Sequence, residues 1–516
     1  MKDATKRFWR GISVALVFFG ATVSLQVLSG AYHSEFSGYP DESAHYVTSL
    51  MFRDYIAGLH YTEPIKFATD YYQHYPKVAI GHWPPLFYMV GGLWMLLFSP
   101  ARASILLCLA LLTTLLAWMT YTFVKKRFGW SAGVLAGLLL ICLPLVQRYS
   151  DEVMSETLLT IVSFASALYF ARYIETLRWQ DSAFFGLFAS LAILTKGSGW
   201  DLALIPPVTL FLTRRFGLLA KWSFWLPAVI VVALCAPWQW ITIGMAHQGW
   251  DGGDHPTLGY TTHALAGYGP VFVNLLGWGL VPLVLVGIAV AIVMPYFEKK
   301  IEPAWAAVFA LIPASWIFHS IVPVGVEDRK MIVAVPAAIA LLFAGGVWSA
   351  KRLRWNPAIV AIAAILVFAV QEFSLISEVH YGYIEAARYI SGSRDLENTK
   401  ILISSERDGE GMLTSELAMA AKNRPEYRIL RATKVLSKTD WDGNVFACLY
   451  QTPDALLDYL HKAHIDLVVS DTLPPFSPFQ HQRVLAETIA RYPDRLKLLA
   501  SFKGETQGAV SVYRVN

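Results

Sequence analysis

Long apolar runs separated by short basic clusters dominate this 516-residue chain and restrict what it can fold into. After the basic tail MKDATKRFWR, such runs occupy 11–30, 84–98, 102–124, 131–149, 153–171, 182–197, 200–213, 222–241, 271–296, 303–322, 331–349 and 356–373. Basic clusters punctuate them at Lys125-Lys126-Arg127, Arg172 with Arg178, Arg214-Arg215 with Lys221, Lys299-Lys300, and Lys351-Arg352 with Arg354. A helix of about 20 apolar residues crosses a hydrocarbon core of about 30 Å. Only 16% of the residues are charged, against about 25% in soluble proteins, too few to cover a surface that faces water. The chain therefore reads as a polytopic α-helical membrane protein. Its net charge of +4 carries no argument for a nucleic-acid partner, and four scattered cysteines without a CxxC spacing predict neither a disulfide framework nor a zinc site.

The basic clusters fix an orientation. They belong in the cytoplasm, together with the N-terminus. If every run crossed, the cluster at 125–127 would fall on the other side and each later cluster would follow it. Treating 84–98, PPLFYMVGGLWMLLF, as interfacial or re-entrant restores the pattern, because it is short, opens on two prolines and carries Gly91-Gly92 in its middle. The first run is longer than the core of a secretory signal and reads as an uncleaved anchor. The expectation is about eleven spans in a plasma (inner) membrane, with a cytoplasmic N-terminus and an extracytoplasmic C-terminus. Residues 1–375 then form the transmembrane domain, with 31–101 as a first outer loop carrying interfacial helices. The outer face receives 31–83, the surroundings of Asp151 and Glu152, Lys196, 242–270 and 323–330.

Beyond residue 375 the composition changes. Strand-like KILISS, YRILRA, IDLVVSD, LKLLASF and AVSVYRV alternate with helical patterns near 410–422, 452–464 and 481–491. That alternation predicts a small extracytoplasmic α/β domain over 376–516 with a largely parallel sheet. Gly409-Glu410-Gly411 follows its first strand without completing GxGxxG, so nucleotide binding is not expected.

The first outer segment begins GYPDESAHY, with Asp41 and Glu42 beside His45 and two tyrosines. A solvated loop start is the bland reading of that acidic pair. Three neighbours favour chemistry instead. The loop continues into the aromatic, half-apolar YYQHYPKVAIGHWPPLFY; a second acidic pair, Asp151-Glu152, emerges on the same face; and cations wait there at Lys196 and at Arg329-Lys330. Charges at span ends are costly and so are functional suspects. Bland alternatives stay open for the cations: a snorkelling lysine at a helix end for Lys196, and local pairing with Glu327 or Asp328 for Arg329 and Lys330.

Asp-Glu-x-x-His-Tyr soon after the first span, followed by His-x-Pro-Pro-Leu-Phe-Tyr from His82 to Tyr88, resembles the GT-C superfamily of membrane glycosyltransferases. In particular it resembles the protein O-mannosyltransferase and aminoarabinose-transferase branch and its bacterial relatives. Asp151, Lys196-Gly197, and Arg329 ahead of the span containing Pro336 follow in that family's order, and the resemblance covers roughly 1–375. It implies a GT-C-like helical fold, a polyprenyl-phosphate-linked sugar as donor, and the early loop acid, Asp41, as the catalytic residue. The second acidic position carries over to Asp151 or Glu152. The inserted soluble domain of the protein-mannosylating branch has no counterpart here, which counts against a protein acceptor and leaves a lipid or cell-envelope glycan.

The residues suit that chemistry. A polyprenyl phosphate leaves as a stable anion, so cations holding the phosphate can replace the general acid that glycoside hydrolysis needs. One carboxylate then suffices to take the acceptor hydroxyl's proton as the sugar transfers with inversion. Asp41 is expected as base, with Glu42 orienting it or binding acceptor, and with Lys196, Arg329 and Lys330 on the donor phosphate. His82 is expected to hydrogen-bond near the site. No cofactor is expected. A divalent metal shared by Asp41 and His45, His74 or His82 is conceivable without a fixed ligand spacing, and Asp251, Asp254 and His255 read as a Gly-rich polar loop. A secondary transporter would place its charges nearer mid-membrane and show repeats. A sensor would not need the acidic pair. An oligosaccharyltransferase-like enzyme of the same fold would shift emphasis to metal and peptide.

Overall fold

The computed structural model describes residues 2–60, 62–79, 81–250, 255–422, 424–439, 446–473 and 479–516. A bundle of helices carries a sheet-containing C-terminal part. Six helical stretches are long and apolar enough to cross a membrane: Trp9–Leu28 within α1 (Lys2–Leu28), α5 (Arg102–Phe128), α8 (Glu156–Thr176), Trp222–Met245 within α11 (Trp222–Trp250), α15 (Pro303–Ile321), and Asp328–Leu353, which ends in α16 (Val335–Leu353). Two bent pairs bring the number to eight. α6 (Trp130–Cys142) turns by 64° into α7 (Pro144–Asp151), and α12 (Leu258–Leu276) turns by 109° into the stretch Val281–Phe297, which opens with α13 (Val281–Ile288) and closes with α14 (Met294–Phe297). The chain is a multi-pass membrane protein. Among the described residues, length and composition pick out six to eight spans and leave the expected count of about eleven unconfirmed. The remaining runs form helices shorter than that criterion requires: α9 (Trp179–Thr195), α10 (Ile205–Thr213) and α17 (Pro357–Gln371).

Breaks fall where the sequence supplies them. Pro144 starts α7 after the turn at Leu143, whose extended backbone suits a residue before proline. Lys196 interrupts the apolar stretch 182–213, and a 3₁₀ turn, Gly197–Leu204, follows it. The segment 242–270, expected as a loop, is instead mostly helical, because α11 continues to Trp250 and α12 begins at Leu258. Asp251 and Asp254 lie outside the described residues, and His255 is exposed just ahead of α12.

Between α1 and α5 lie α2 (Glu42–Ala57), α3 (Pro64–His74) and α4 (Leu86–Leu97). The 12 residues of α4 rise roughly 18 Å, too little for a hydrocarbon core of about 30 Å. α4 packs along α2, and its glycines permit the approach: a Cβ at Gly91 would stand 2.7 Å from Ser49 Oγ, and one at Gly92 2.8 Å from the Ser49 carbonyl.

Helix polarity sorts the charges. Arg102, Glu156, Lys196 and Arg329 stand at helix ends that gather beside α2, whereas Lys125–Arg127, Arg172 and Lys351–Arg352 occupy the other ends of their helices. The C-terminal part begins with α18 (Tyr383–Gly392). Its five-stranded sheet runs β2 (Arg428–Arg431), β1 (Lys400–Ser404), β5 (Leu467–Asp471), β7 (Val510–Val515), β6 (Leu496–Phe502). A separate ribbon pairs β3 (Ser437–Thr439) with β4 (Phe446–Cys448). β1 is parallel to β2 and β5, while β7 is antiparallel to both β5 and β6. The sheet is thus mixed rather than largely parallel. Residues 503–509 are too few for the crossover a parallel β6–β7 pair would require.

α19 (Arg407–Ala420) follows β1 and contains Gly409-Glu410-Gly411, so these glycines are helical rather than part of a loop. They allow close packing. A Cβ at Gly409 would meet Ser405 Oγ and Tyr383 Oη, and one at Gly411 would meet Ser43 Oγ of α2 at 2.7 Å. Glu35 fastens the junction by accepting backbone N–H groups of Tyr381, Gly382 and Tyr383 at 2.8–2.9 Å, at the N-terminus of α18.

α13 and α16 approach through glycine as well. A Cβ at Gly345 would lie 1.9 Å from the Leu283 carbonyl, and one at Gly287 1.9 Å from that of Leu341. Gly345→Ala and Gly287→Ala should each cost about 1–3 kcal/mol, read as a lower unfolding midpoint in detergent. At Gly346, where the nearest neighbour is Val360 Cγ1 at 3.9 Å, alanine should leave the midpoint unchanged.

Candidate active site

α2 starts at Tyr39-Pro40-Asp41-Glu42, with aspartate in the capping position that favours it. Yet the Asp41 side chain makes no capping bond. It turns to Arg329, whose Nη1 lies 3.3 Å from Asp41 Oδ2. Arg329 comes from the 3₁₀ turn Asp328–Ala334 ahead of α16. Its Nε also pairs with the Glu327 carboxylate, and its guanidinium lies 4.2 Å above the Tyr39 ring. The local partner expected for Arg329 is present, and Asp41 is present with it. Asp41 is 29% exposed, open enough to meet a ligand.

Glu42, the next residue, faces the opposite way. Its side chain is fully buried and accepts from Arg102 Nη1 and from the backbone N–H groups of Gly38 and Val153, all at 3.0 Å. Arg102 further donates to the carbonyls of Ala31 and Asp151 and to Ser34 Oγ. Asp151 and Glu152 stand on this side too. Ser150 Oγ donates to Asp151 Oδ1 at 2.9 Å, and the Glu152 carboxyl lies against Gly38. Burial, reinforced by the Glu42 charge, pushes the Glu152 carboxyl up to about 9, so it is neutral at ordinary pH. Arg102 therefore engages Glu42 and the Asp151 carbonyl, Glu152 lies beside Gly38, and the cations expected on the donor lie elsewhere.

Those cations converge beside Asp41. Lys196, at the end of α9, pairs with Glu156, the first residue of α8, and that carboxylate is buried. Glu156 also acts electrostatically on Arg329 and His45. Lys330 lies within the fields of Lys196, Arg329, Glu327 and Glu156. Lys196 is thus part of a buried ion pair rather than a snorkelling side chain. His45, one helical turn after Asp41, is buried; its Nδ1 is 3.1 Å from Tyr88 Oη and its ring lies 4.7 Å from that of Trp83. Burial holds its imidazole down, to about 4, and hence neutral. His82 is half-buried in the turn before α4, and burial lowers it as well.

Glu156 and Arg102 escaped the sequence reading. Each is a lone charge at the head of an apolar run, Ser155-Glu156-Thr157-Leu158 and Pro100-Ala101-Arg102-Ala103, and that position was the available signal. A metal shared by Asp41 and the nearby histidines finds no support in this geometry. His74 Nδ1 is engaged with the Tyr427 carbonyl at 2.9 Å. Among the described residues, the grouping with metal-ligand spacing is Glu35, His380 and Glu385, at the junction with α18. Glu35 is there already occupied by backbone N–H donors.

Residues 82–241 match the family described as dolichyl-phosphate-mannose-protein mannosyltransferase. No curated protein matches the sequence. The fold is similar to that of ArnT from Cupriavidus metallidurans in the apo state, with a TM-score of 0.62 and 14% identity over 99% of this chain and 98% of that one. The same protein bound to undecaprenyl phosphate gives 0.61, again at 14% identity, 99% and 98%. The archaeal oligosaccharyltransferase AglB from Archaeoglobus fulgidus, in complex with an inhibitory peptide and a dolichol-phosphate, gives 0.56 at 13% identity, covering 90% of this chain and 70% of that one.

Neighbours in sequence, Asp41 and Glu42 should separate in experiment. Glu42→Ala leaves Arg102 buried and unpaired and should cost about 3–5 kcal/mol of stability. Asp41→Asn, at a partly exposed pair whose arginine keeps Glu327, should cost less, about 1 kcal/mol. Thermal unfolding of the purified variants reads both.

Proposed function

We propose that the chain, a membrane glycosyltransferase of the GT-C superfamily, moves a sugar from a polyprenyl-phosphate donor in the outer leaflet to a lipid or cell-envelope glycan acceptor. Asp41 acts as general base and the configuration at the sugar carbon inverts. One observation carries this reading: Lys196, Arg329 and Lys330 gather around Glu156 beside a carboxylate that is open to a ligand. The outward orientation, with the C-terminal part on the same side, draws support from the basic clusters at the opposite helix ends. ArnT was crystallised with undecaprenyl phosphate, and a donor of that class suits three cations at headgroup depth, where charge pairing is stronger than in bulk water.

The step balances without a general acid. The acceptor oxygen bonds to the sugar's anomeric carbon as the bond from that carbon to the phosphate oxygen breaks. The hydroxyl proton passes to Asp41, and the bonding pair leaves with the phosphate, held by the cations. Arg329 links the two halves of the reaction. Its guanidinium is shared by Asp41, Glu327 and the Tyr39 ring. An arriving phosphate competes with Asp41 for it, so donor binding releases the carboxylate to act as base. Glu156 holds Lys196 in place and limits the net positive charge before the donor arrives. Glu42 supports the site through Arg102, which also holds the Asp151 carbonyl.

A second reading, transfer of a whole glycan to a peptide, takes support from the likeness to an archaeal oligosaccharyltransferase crystallised with Zn and sulfate. It predicts that a chelator abolishes activity; metal-independent transfer excludes it.

Sugar transfer in reconstituted membranes, from a panel of radiolabelled polyprenyl-phosphate sugars with envelope extract as acceptor, tests the main reading. Asp41→Asn should reduce transfer by at least about 10²-fold while retaining undecaprenyl phosphate binding. Lys196→Ala and Arg329→Ala should instead raise the donor KM by about 10-fold or more. Equal transfer by wild type and Asp41→Asn would remove Asp41 from the mechanism.

A further inference from the structure

The chain segment that returns from α3 toward α4 is gripped by the C-terminal part. His74 meets the Tyr427 carbonyl, Tyr75 Oη accepts the Glu426 backbone N–H at 3.1 Å, and Arg431 Nη1 reaches the Pro76 carbonyl at 3.5 Å. Lys77 comes next, and it is only 8% exposed. Its Nζ donates to the carbonyl of Pro40 at 3.2 Å, the peptide group that leads into Asp41. Behind it stands α19: a Cβ at Gly411 would lie 2.9 Å from that nitrogen.

Burying an ammonium group is costly unless something holds it. The charges facing Lys77 are Arg431 from β2, Glu410 and Asp408 from α19, and Asp41 itself. Glu410 is already committed to Arg431 at 2.8 Å and to the Thr433 backbone N–H at 2.7 Å. Asp408 keeps a buried carboxylate oxygen, Oδ1, without a hydrogen-bond partner. Among the described residues Lys77 makes no contact ion pair. Its directed bond is the one to Pro40, and its surroundings come from the C-terminal part.

Taking Asp41 as the base, as read above, we propose that Lys77 is a positioning residue through which α19 sets the backbone of Asp41, so that the C-terminal part completes the active site. The charged ammonium makes the stronger bond to the Pro40 carbonyl. Burial, with Arg431 nearby, pulls Lys77 down to about 7. It is charged below that pH and neutral above it, so positioning weakens as pH rises through neutrality. Arginine at the same position stays charged throughout.

The full-length protein is reconstituted and assayed with whichever polyprenyl-phosphate sugar the wild type transfers; undecaprenyl phosphate serves as a separate binding probe. Lys77→Met should lower kcat by about 10- to 100-fold, leaving donor KM and undecaprenyl phosphate binding within about twofold. Wild-type kcat should fall as pH rises through about 7, and Lys77→Arg should restore kcat and move that fall to higher pH. A Lys77→Met enzyme with wild-type kcat and pH profile, while Asp41→Asn is inactive, would overturn the inference and leave the transfer reading standing. A wild type that transfers no sugar from any donor would bring down the transfer reading and this inference together.

Discussion

A single guanidinium, that of Arg102, joins the elements on which the candidate site depends. It stands at the head of a 27-residue apolar helix and reaches the Ala31 and Asp151 carbonyls, Ser34 and the Glu42 carboxylate. The loop after α1, the start of α2 and the end of α7 are thereby held to α5. A guanidinium in such a place requires its anion, and the anion requires the remaining N–H donors that Glu42 finds in Gly38 and Val153. Since Glu42 is fixed, the residue before it has little freedom. Asp41 emerges from the cap of α2 on the other face, toward Arg329.

Two adjacent carboxylates thus acquire different properties from their surroundings alone. One is enclosed by a cation and backbone donors, the other shares a cation with a second acid and an aromatic face. The same division recurs at Asp151-Glu152 and Glu156. The first pair belongs to the Arg102 side, whereas Glu156 belongs to Lys196. A low dielectric enforces such sorting, because each buried ion needs a specific partner and cannot average over solvent.

Much of this was readable in the chain, for identifiable reasons. Apolar runs located the membrane helices because burial in lipid demands them. The proline-led segment 84–98 was set apart by its length, and it is α4, too short to cross. The five strands of the C-terminal sheet followed from alternation, but the orientation of β7 did not, since it depends on a connection length whose effect appears only once strand order is known. Asp41, Lys196 and Arg329 stood out as charges near span ends. Glu156 stood in the same kind of place and was passed over in favour of the more conspicuous pair a few residues earlier. Its importance comes from Lys196, a partner 40 positions away, which only the packing reveals. The role of Glu42 was hidden for a similar reason: Arg102 is 60 positions distant.

The contact of α19 with α2 bears on how the molecule is made. Just past α19, Arg424 meets Asp54 of α2 across 370 positions of chain. At a synthesis rate of about 5–20 residues per second, the first loop leaves the ribosome roughly 20–75 s before its partner. During that interval the polar face of α2 has no cover, and the groups later enclosed by α19 remain hydrated. α2 therefore reaches its final surroundings only after the chain around residue 424 has been made.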